Sequence, residues 1–100
     1  MKITNIKTQR FIEQECDKIW YVYIIRCKRG LYTGITLDVE ARVKRHNAGK
    51  GAKSVRALGL PAFLVYTEEV GSHGKALKRE IEIKKMTKKM KEELVKKLDS

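Results

Sequence analysis

The sequence has few of the features that mark secreted or membrane-spanning proteins. Its two cysteines, Cys16 and Cys27, are too few for a disulfide framework, and its N-terminal residues lack the apolar core of a signal peptide. No apolar run is long enough to cross a bilayer. We therefore expect a reduced, cytoplasmic protein with no membrane partner.

Proline and acidic residues are also scarce. One proline among 100 residues favours a helix-rich chain with few irregular loops. Because 12 acidic residues face 23 basic ones, the net charge is +11, and a chain of one domain's length then carries a strong positive field. We predict nucleic acid as the partner. The alternative is that the charge only keeps the protein soluble.

Two parts of different character divide the chain. Residues 1–18 mix polar and apolar types without a clean period, which predicts an N-terminal arm with a short helix around Phe11 and Ile12. Residues 19–98 carry regular patterns and are predicted to form the folded domain. It opens with aromatic and β-branched residues at 20–25 and a short turn before residues 31–35, which indicates a β-hairpin.

The first helix follows the hairpin. Thr36 or Asp38 can cap its start, and Gly49 supplies a left-handed stop after about Ala48. The glycines and basic residues of 49–56 then predict a mobile basic loop.

The remaining segments complete the fold class. Residues 63–66 predict a third strand, and Ser72 and Thr87 are predicted to open two further helices. The order is strand, strand, helix, strand, helix, helix. It predicts an α+β fold in which helices pack on a small antiparallel sheet.

Polar side chains lie where apolar ones are expected on the first helix. At 100° per residue, Val39, Val43 and His46 share one stripe, and Arg42 lies at its edge. The ordinary interpretation is a hydrogen-bonded boundary histidine and an arginine that reaches solvent. The alternative is that both face a site.

The long helix that begins after Ser72 shows the same feature. Glu80 projects between the apolar pairs Ala76/Ile83 and Leu77/Ile81. Burying a lone carboxylate costs several kcal/mol, so Glu80 requires a cation nearby. A metal ion and Lys84, one turn further on, are the two candidates, and the pattern leaves both open.

Tyrosines on the two hairpin strands complete the set. Strand alternation places Tyr21, Tyr23 and Ile25 on one face, and Tyr23 and Tyr32 then stand on adjacent strands. Strand tyrosines are usually packing residues with a satisfied hydroxyl. Their significance comes from the residues around them.

Taken together, these residues resemble the GIY-YIG nuclease family. The resemblance rests on Tyr23, on Tyr32-Thr33-Gly34 nine residues later, on Arg42 and His46 in the next helix, and on Glu80. The segments 31–36, 38–40 and 46–53 are similar to the small UPF0213 branch. The first signature keeps only its final tyrosine, and Thr33 replaces the central isoleucine of the second.

The resemblance implies a fold and an activity. The fold is a three-stranded antiparallel sheet flanked by helices, and the activity is metal-dependent hydrolysis of DNA phosphodiester bonds, on single-stranded DNA or a branched repair intermediate. One Mg2+ or Mn2+ ion is implied at Glu80. The implied catalytic residues are Tyr23, Tyr32, Arg42, His46 and Glu80, and positive charge from Arg42 and the metal is expected to lower the pKa of Tyr23.

Further residues are predicted to contact nucleic acid. They are Gly34, Lys50, Lys53, Arg56 and Lys84. The 50–56 loop lacks the spacing of a nucleotide-binding loop, so we expect no nucleotide cofactor. A non-catalytic nucleic-acid-binding module is the alternative function, and a purely structural protein-binding domain leaves the inward polar residues unexplained.

Overall fold

Three strands and four helices make up the part of the chain that the structure describes. The structure is a computed structural model that describes residues 18–99, so all of the predicted arm except Lys18 lies outside the described residues. The elements are β1 (Trp20–Cys27), β2 (Gly30–Thr36), α1 (Val39–Asn47), α2 (Lys53–Leu58), β3 (Phe63–Gly71), α3 (His73–Lys84) and α4 (Lys88–Asp99). The predicted α+β class is confirmed.

The strands form one antiparallel sheet in the order β2-β1-β3. In this register Tyr23 lies opposite Gly34 on β2 and opposite Thr67 on β3. The aromatic and β-branched residues of β1 therefore occupy the central strand, where side chains on both faces can be covered. This confirms the predicted three-stranded antiparallel sheet.

Each face of β1 contributes to a separate apolar core. Val22 and Ile24 pack with residues of β3, α3 and α4, among them Ile83. Tyr23 and Ile25 point the other way and pack with residues of α1 and α2. Burying a side chain such as Val or Ile contributes about 1.5–3 kcal/mol, so these two cores fix which helices cover which face. The predicted alternation along β1 is confirmed.

The predicted helix starts are confirmed by their caps. The side chains of Asp38, Ser72 and Thr87 each accept a hydrogen bond from the backbone N–H three residues later, at 3.0, 3.2 and 3.2 Å. Thr36 supports the first cap by accepting from the backbone N–H of Asp38 at 3.1 Å. Gly49 has a φ of 78°, in the left-handed region expected of a helix stop.

Two predictions about local structure are wrong. The basic segment is not a loop throughout, because α2 begins at Lys53 and buries Val55 completely. Its N-cap, Ala52, makes no side-chain hydrogen bond, so the sequence holds no start signal. The third strand continues past residue 66 to Gly71, since its acidic second half pairs with the start of β1.

Within residues 18–99, no helix is long and apolar enough to cross a membrane.

Candidate active site

Tyr23 is the buried centre of the candidate site. Its side chain is 1% exposed, and its hydroxyl lies directly over Gly34 on the neighbouring strand. A Cβ atom at position 34 would stand 2.6 Å from that hydroxyl, a distance that real Cβ contacts do not reach. The phenol of Tyr23 therefore occupies the space beside Gly34, and any other side chain here would displace it. Contact of Gly34 with nucleic acid stays a prediction.

His46 is hydrogen-bonded to Tyr23. Its Nε2 atom lies 2.8 Å from the Tyr23 hydroxyl, and its side chain is 1% exposed at the C-terminal end of α1. The Tyr32 ring meets the His46 ring edge-on, with 5.5 Å between centroids, and lies 6.4 Å from the Tyr23 ring. The structure thus brings three of the predicted catalytic side chains into one cluster.

Gly51 packs against the other side of the His46 ring. A Cβ atom at position 51 would overlap Nδ1 of His46. Within residues 18–99, this buried Nδ1 has no hydrogen-bond partner. The ring is therefore held between the Tyr23 hydroxyl and the backbone of Gly51. Sequence reasoning missed Gly51, whose only signal is the Gly49-Lys50-Gly51 pattern after the helix stop.

Burial has the largest effect on the pKa values of Tyr23 and His46. It raises the pKa of Tyr23 to about 12, with a further rise from Tyr32, and Arg42 opposes this only in part. Arg42 thus lowers the pKa of Tyr23 as expected, but in the protein without a metal ion, burial outweighs this charge. Burial also lowers the pKa of His46 from its ordinary 6.5, and the charges of Arg42 and Arg45 lower it further, so the imidazole is neutral at pH 7.

A basic cavity of about 440 Å³ opens beside the ring cluster. It is lined by Tyr32, Arg42, Arg45, His46, Lys50, Gly51 and Ala52. Arg42 is exposed on α1, yet its guanidinium remains close enough to Tyr23 to influence the phenol. Sequence reasoning missed Arg45, although its position three residues after Arg42 places both on one side of the helix.

Glu80 reaches the site from α3. Its side chain is 18% exposed, and its charge raises the pKa of Tyr23. Lys84 stands 3.4 Å from the Glu80 carboxylate, and its ammonium lies 5.9 Å from the centre of the Tyr32 ring. The lysine partner weighed from the sequence is thus in place. Because the Lys84 side chain is 51% exposed, it has room to move away.

The donor set at Glu80 suits a hard divalent cation that is shared with a substrate. In the described part of the chain, no three His, Cys, Asp or Glu side chains are grouped to hold a metal ion. Mg2+ keeps several waters and takes phosphate oxygens as ligands, so one carboxylate can suffice. The residues present therefore fit Mg2+ or Mn2+ and do not form an all-protein cage.

The remaining basic residues differ in their surroundings. Lys50 lines the cavity, and Lys53 is exposed on α2. Arg56 donates from Nη1 to the carbonyl oxygens of Gly49 and Gly51, at 3.0 and 3.1 Å. Arg56 thus ties down the loop that supports His46, a role the sequence did not predict. Contacts of these side chains with nucleic acid stay predictions.

Comparison with known proteins identifies the family of the chain. Residues 19–93 match the model of the GIY-YIG catalytic domain, and the chain belongs to this nuclease-type family, whose membership implies nucleic-acid binding. The expected likeness to the UPF0213 branch is also confirmed. The chain is 48% identical to the UPF0213 protein of Cronobacter sakazakii over 77 residues, which are 76% of this chain and 80% of that protein.

Two further relatives extend the comparison. The UPF0213 protein YE0453 of Yersinia enterocolitica is 48% identical over 80 residues, which cover 79% of this chain and 81% of that protein. The solution NMR structure of the UPF0213 protein BH0048 from Bacillus halodurans is 44% identical, with a TM-score of 0.50, and the match covers 78% of this chain and 83% of that one. The solved structure supports the fold, and the sequence matches support the family.

Proposed function

We propose that the protein is an endonuclease that hydrolyses DNA phosphodiester bonds with one divalent cation, Mg2+ or Mn2+, bound at Glu80. The observation that carries this proposal is the buried Tyr23–His46 pair, 2.8 Å apart, beside a cavity lined by Arg42 and Arg45. A purely structural role does not require a buried phenol and imidazole next to converging cations. Phosphodiester cleavage requires both a proton acceptor and positive charge.

The surroundings of His46 indicate which of its nitrogens carries the proton. A buried N–H without an acceptor costs about 1–3 kcal/mol, and an under-satisfied acceptor is better tolerated. Since Nδ1 faces Gly51 without a hydrogen-bond partner among the described residues, we place the proton on Nε2. His46 then donates to the Tyr23 oxygen, which leaves the phenol proton directed elsewhere and stabilises a phenolate when that proton is lost.

Tyr23 is the proposed general base for the attacking water. A phenol with a pKa of about 12 is almost entirely protonated at pH 7, so few molecules are active unless added positive charge lowers that value. Arg42 already acts in this direction. Tyr32 lines the cavity beside this pair and is proposed to assist in orienting the water.

Arg42 is the proposed ligand of the scissile phosphate. Its guanidinium presents a planar fork of donors that matches two phosphate oxygens, a geometry that a lysine ammonium does not provide. It lines the cavity and influences Tyr23, so a phosphate bound there would lie beside the proposed base. Donors that are already in place stabilise the charge of the transition state without reorganisation.

Glu80 is the proposed metal ligand. A divalent cation held there would supply Lewis-acid stabilisation of the phosphate and of the leaving oxygen. The cation and Lys84 compete for one carboxylate, so the exposed Lys84 side chain must release it. Lys84 is then free to contact the substrate backbone, in agreement with its predicted role in nucleic-acid binding.

A cleavage assay with matched glutamate variants tests the proposal. Wild type, Glu80→Gln and Glu82→Gln are incubated with single-stranded, duplex and branched DNA and with RNA, in Mg2+, Mn2+ or EDTA. Glu82 lies on the same helix, is 63% exposed and pairs with Arg79. The Glu82→Gln variant therefore shows the effect of removing one negative charge from this helix without changing Glu80. We expect metal-dependent cutting by wild type and Glu82→Gln, and a loss of at least about 100-fold in Glu80→Gln.

The non-catalytic binding module remains the second candidate. The Glu80–Lys84 ion pair favours it, because a carboxylate neutralised by lysine needs no metal. This candidate predicts binding that weakens steeply with salt and no cutting of any substrate in any metal. That result would replace the enzyme with the binding module, and equal cutting by Glu80→Gln would remove Glu80 from the site.

A further inference from the structure

A second cavity of about 560 Å³ meets the first one at Arg42 and Arg45, which line both. Lys44 and Trp20 also line the second cavity. The two cavities adjoin at these arginines, and we call them together the groove: basic side chains line it from Lys50 past the arginines to the start of β1, and Asp38 is the acidic residue in its lining. Its charge suits a phosphate backbone longer than the single phosphate at Arg42.

The groove ends at an aromatic surface. Trp20 is partly exposed, and its ring rests on the His73 ring, with 4.4 Å between centroids and 52° between planes. His73 begins α3 and so supports the indole from behind. A core tryptophan would be enclosed by apolar side chains, whereas this one borders a cavity that contains arginine. An indole face beside phosphate-binding arginines is the arrangement that binds unpaired bases.

Distances along β1 and along α3 indicate how far the Trp20–His73 pair lies from Tyr23 and Glu80. Trp20 precedes Tyr23 by three residues of strand, about 10 Å along the chain, and a register shift between Trp20 and Tyr21 interrupts the regular alternation of faces there. His73 precedes Glu80 by seven residues of helix, also about 10 Å. A stacked strand advances about 3.4 Å per nucleotide, so a base at Trp20 lies about three nucleotides from the scissile phosphate. In a duplex that base would be stacked between its neighbours and closed to the indole.

We propose that Trp20, supported by His73, is a stacking platform for an unpaired base of the substrate strand. The platform rests on the proposed function, because it names the substrate class of the same site: a nucleic-acid strand that is single-stranded on one side of the cleavage point. Arg42 and Arg45 hold the backbone, and Trp20 holds the base. The platform reads no sequence, since every base has a π-face.

Trp20 is the chain's one tryptophan, so its fluorescence reports directly on the platform. The Glu80→Gln protein is titrated with a 12-nucleotide single strand, the same strand made abasic throughout, and the matching duplex. We expect quenching by the intact strand and little by the abasic strand or the duplex. Equal quenching by the intact and abasic strands would overturn the platform, and this measurement needs no change at Trp20.

Variants give a second measurement, the affinity for a labelled strand in the same Glu80→Gln background. Trp20→Leu is expected to bind about 5- to 100-fold more weakly, since stacking is lost, whereas Trp20→Phe stays within about threefold. Phe63→Leu is the matched control, because Phe63 is an exposed aromatic at the opposite end of the sheet. Unchanged affinity in a folded Trp20→Leu protein would also overturn the platform.

The platform and the proposed cleavage fail in different ways. Quenching by single strands without cutting by wild type supports the platform and refutes the nuclease. Cutting by wild type without quenching refutes the platform and leaves the nuclease standing. Circular dichroism of each variant separates lost folding from lost binding.

Discussion

At the scale of single residues, glycine decides the geometry of the site as much as the reactive groups do. Gly34 leaves room for the Tyr23 hydroxyl, and Gly51 leaves room for the His46 ring. Gly34 and Tyr23 lie on neighbouring strands, and Gly51 and His46 lie on either side of the turn that follows α1. The sequence shows a glycine in each place, but only the packed structure shows which side chain needs the space.

Gly51→Ala is predicted to displace the His46 ring. Because the new methyl group would overlap Nδ1, the hydrogen bond to Tyr23 should be lost, and overpacking should lower the free energy of unfolding by about 1–3 kcal/mol. Nitrogen NMR of the imidazole should show the Nε2–H tautomer in wild type and a mixture in the variant. Gly74→Ala is the control, since its added methyl group meets nothing within 4 Å. An unchanged His46 signal in Gly51→Ala would contradict this contact.

His46 also predicts how stability depends on pH. Its pKa is lowered in the folded protein, so below about pH 6.5 the unfolded chain binds more protons. The stabilisation from a neutral His46 is complete above pH 6.5 and is lost as pH falls from there toward the folded pKa. Urea unfolding at pH 7.5 and 5.5 should show a smaller difference in His46→Gln than in wild type. Equal differences would exclude His46 as the cause.

At the scale of elements, the short helix α2 and the loop before it support the site. Arg56, on α2, bonds the carbonyls of Gly49 and Gly51, and Arg45 donates from Nε to the carbonyl of Lys50 at 3.2 Å. Arg56, which was predicted to contact nucleic acid, and Arg45, which lines the cavity, thus also make intramolecular hydrogen bonds. The loop they hold forms the wall behind His46.

Arg56 and Lys50 are predicted to differ in their effect on DNA binding. The logarithm of DNA affinity falls linearly with the logarithm of salt concentration, and removing one side chain that contacts phosphate makes this slope shallower by about one. We expect this for Lys50→Gln, whose side chain lines the cavity, and an unchanged slope for Arg56→Gln with slower cutting as the loop loosens. A slope change in Arg56→Gln would show instead that its guanidinium contacts the strand.

The elements also show what sequence patterns can and cannot predict. The hairpin, the caps at Asp38, Ser72 and Thr87, and the two faces of β1 follow from local rules of periodicity and capping. The helix α2 has no side-chain cap and was predicted as a loop. The strand β3 is longer than its apolar part because pairing with β1 stabilises its polar end.

At the scale of the whole molecule, the site is assembled around an edge of the sheet. Tyr23 and His46 lie on the face covered by α1 and α2, whereas Glu80 belongs to α3, which packs on the opposite face. The charge of Glu80 nevertheless raises the pKa of Tyr23, and the Lys84 ammonium lies over the ring of Tyr32 on the edge strand β2. Periodicity singled out each of these residues, but only the resemblance to a family could place them together.

The central claim is that Tyr23 takes a proton from the attacking water. The direct measurement is the rate of metal-dependent cutting of a single strand by wild type and Tyr23→Phe between pH 6.5 and 9.5, with strand affinity measured alongside. Because the phenol has a raised pKa, the wild-type rate should rise about tenfold per pH unit until the phenol ionises. Tyr23→Phe should bind equally well but cut about 100- to 10,000-fold more slowly, without this rise. Equal rates in the two proteins, with the same dependence on pH, would contradict the claim.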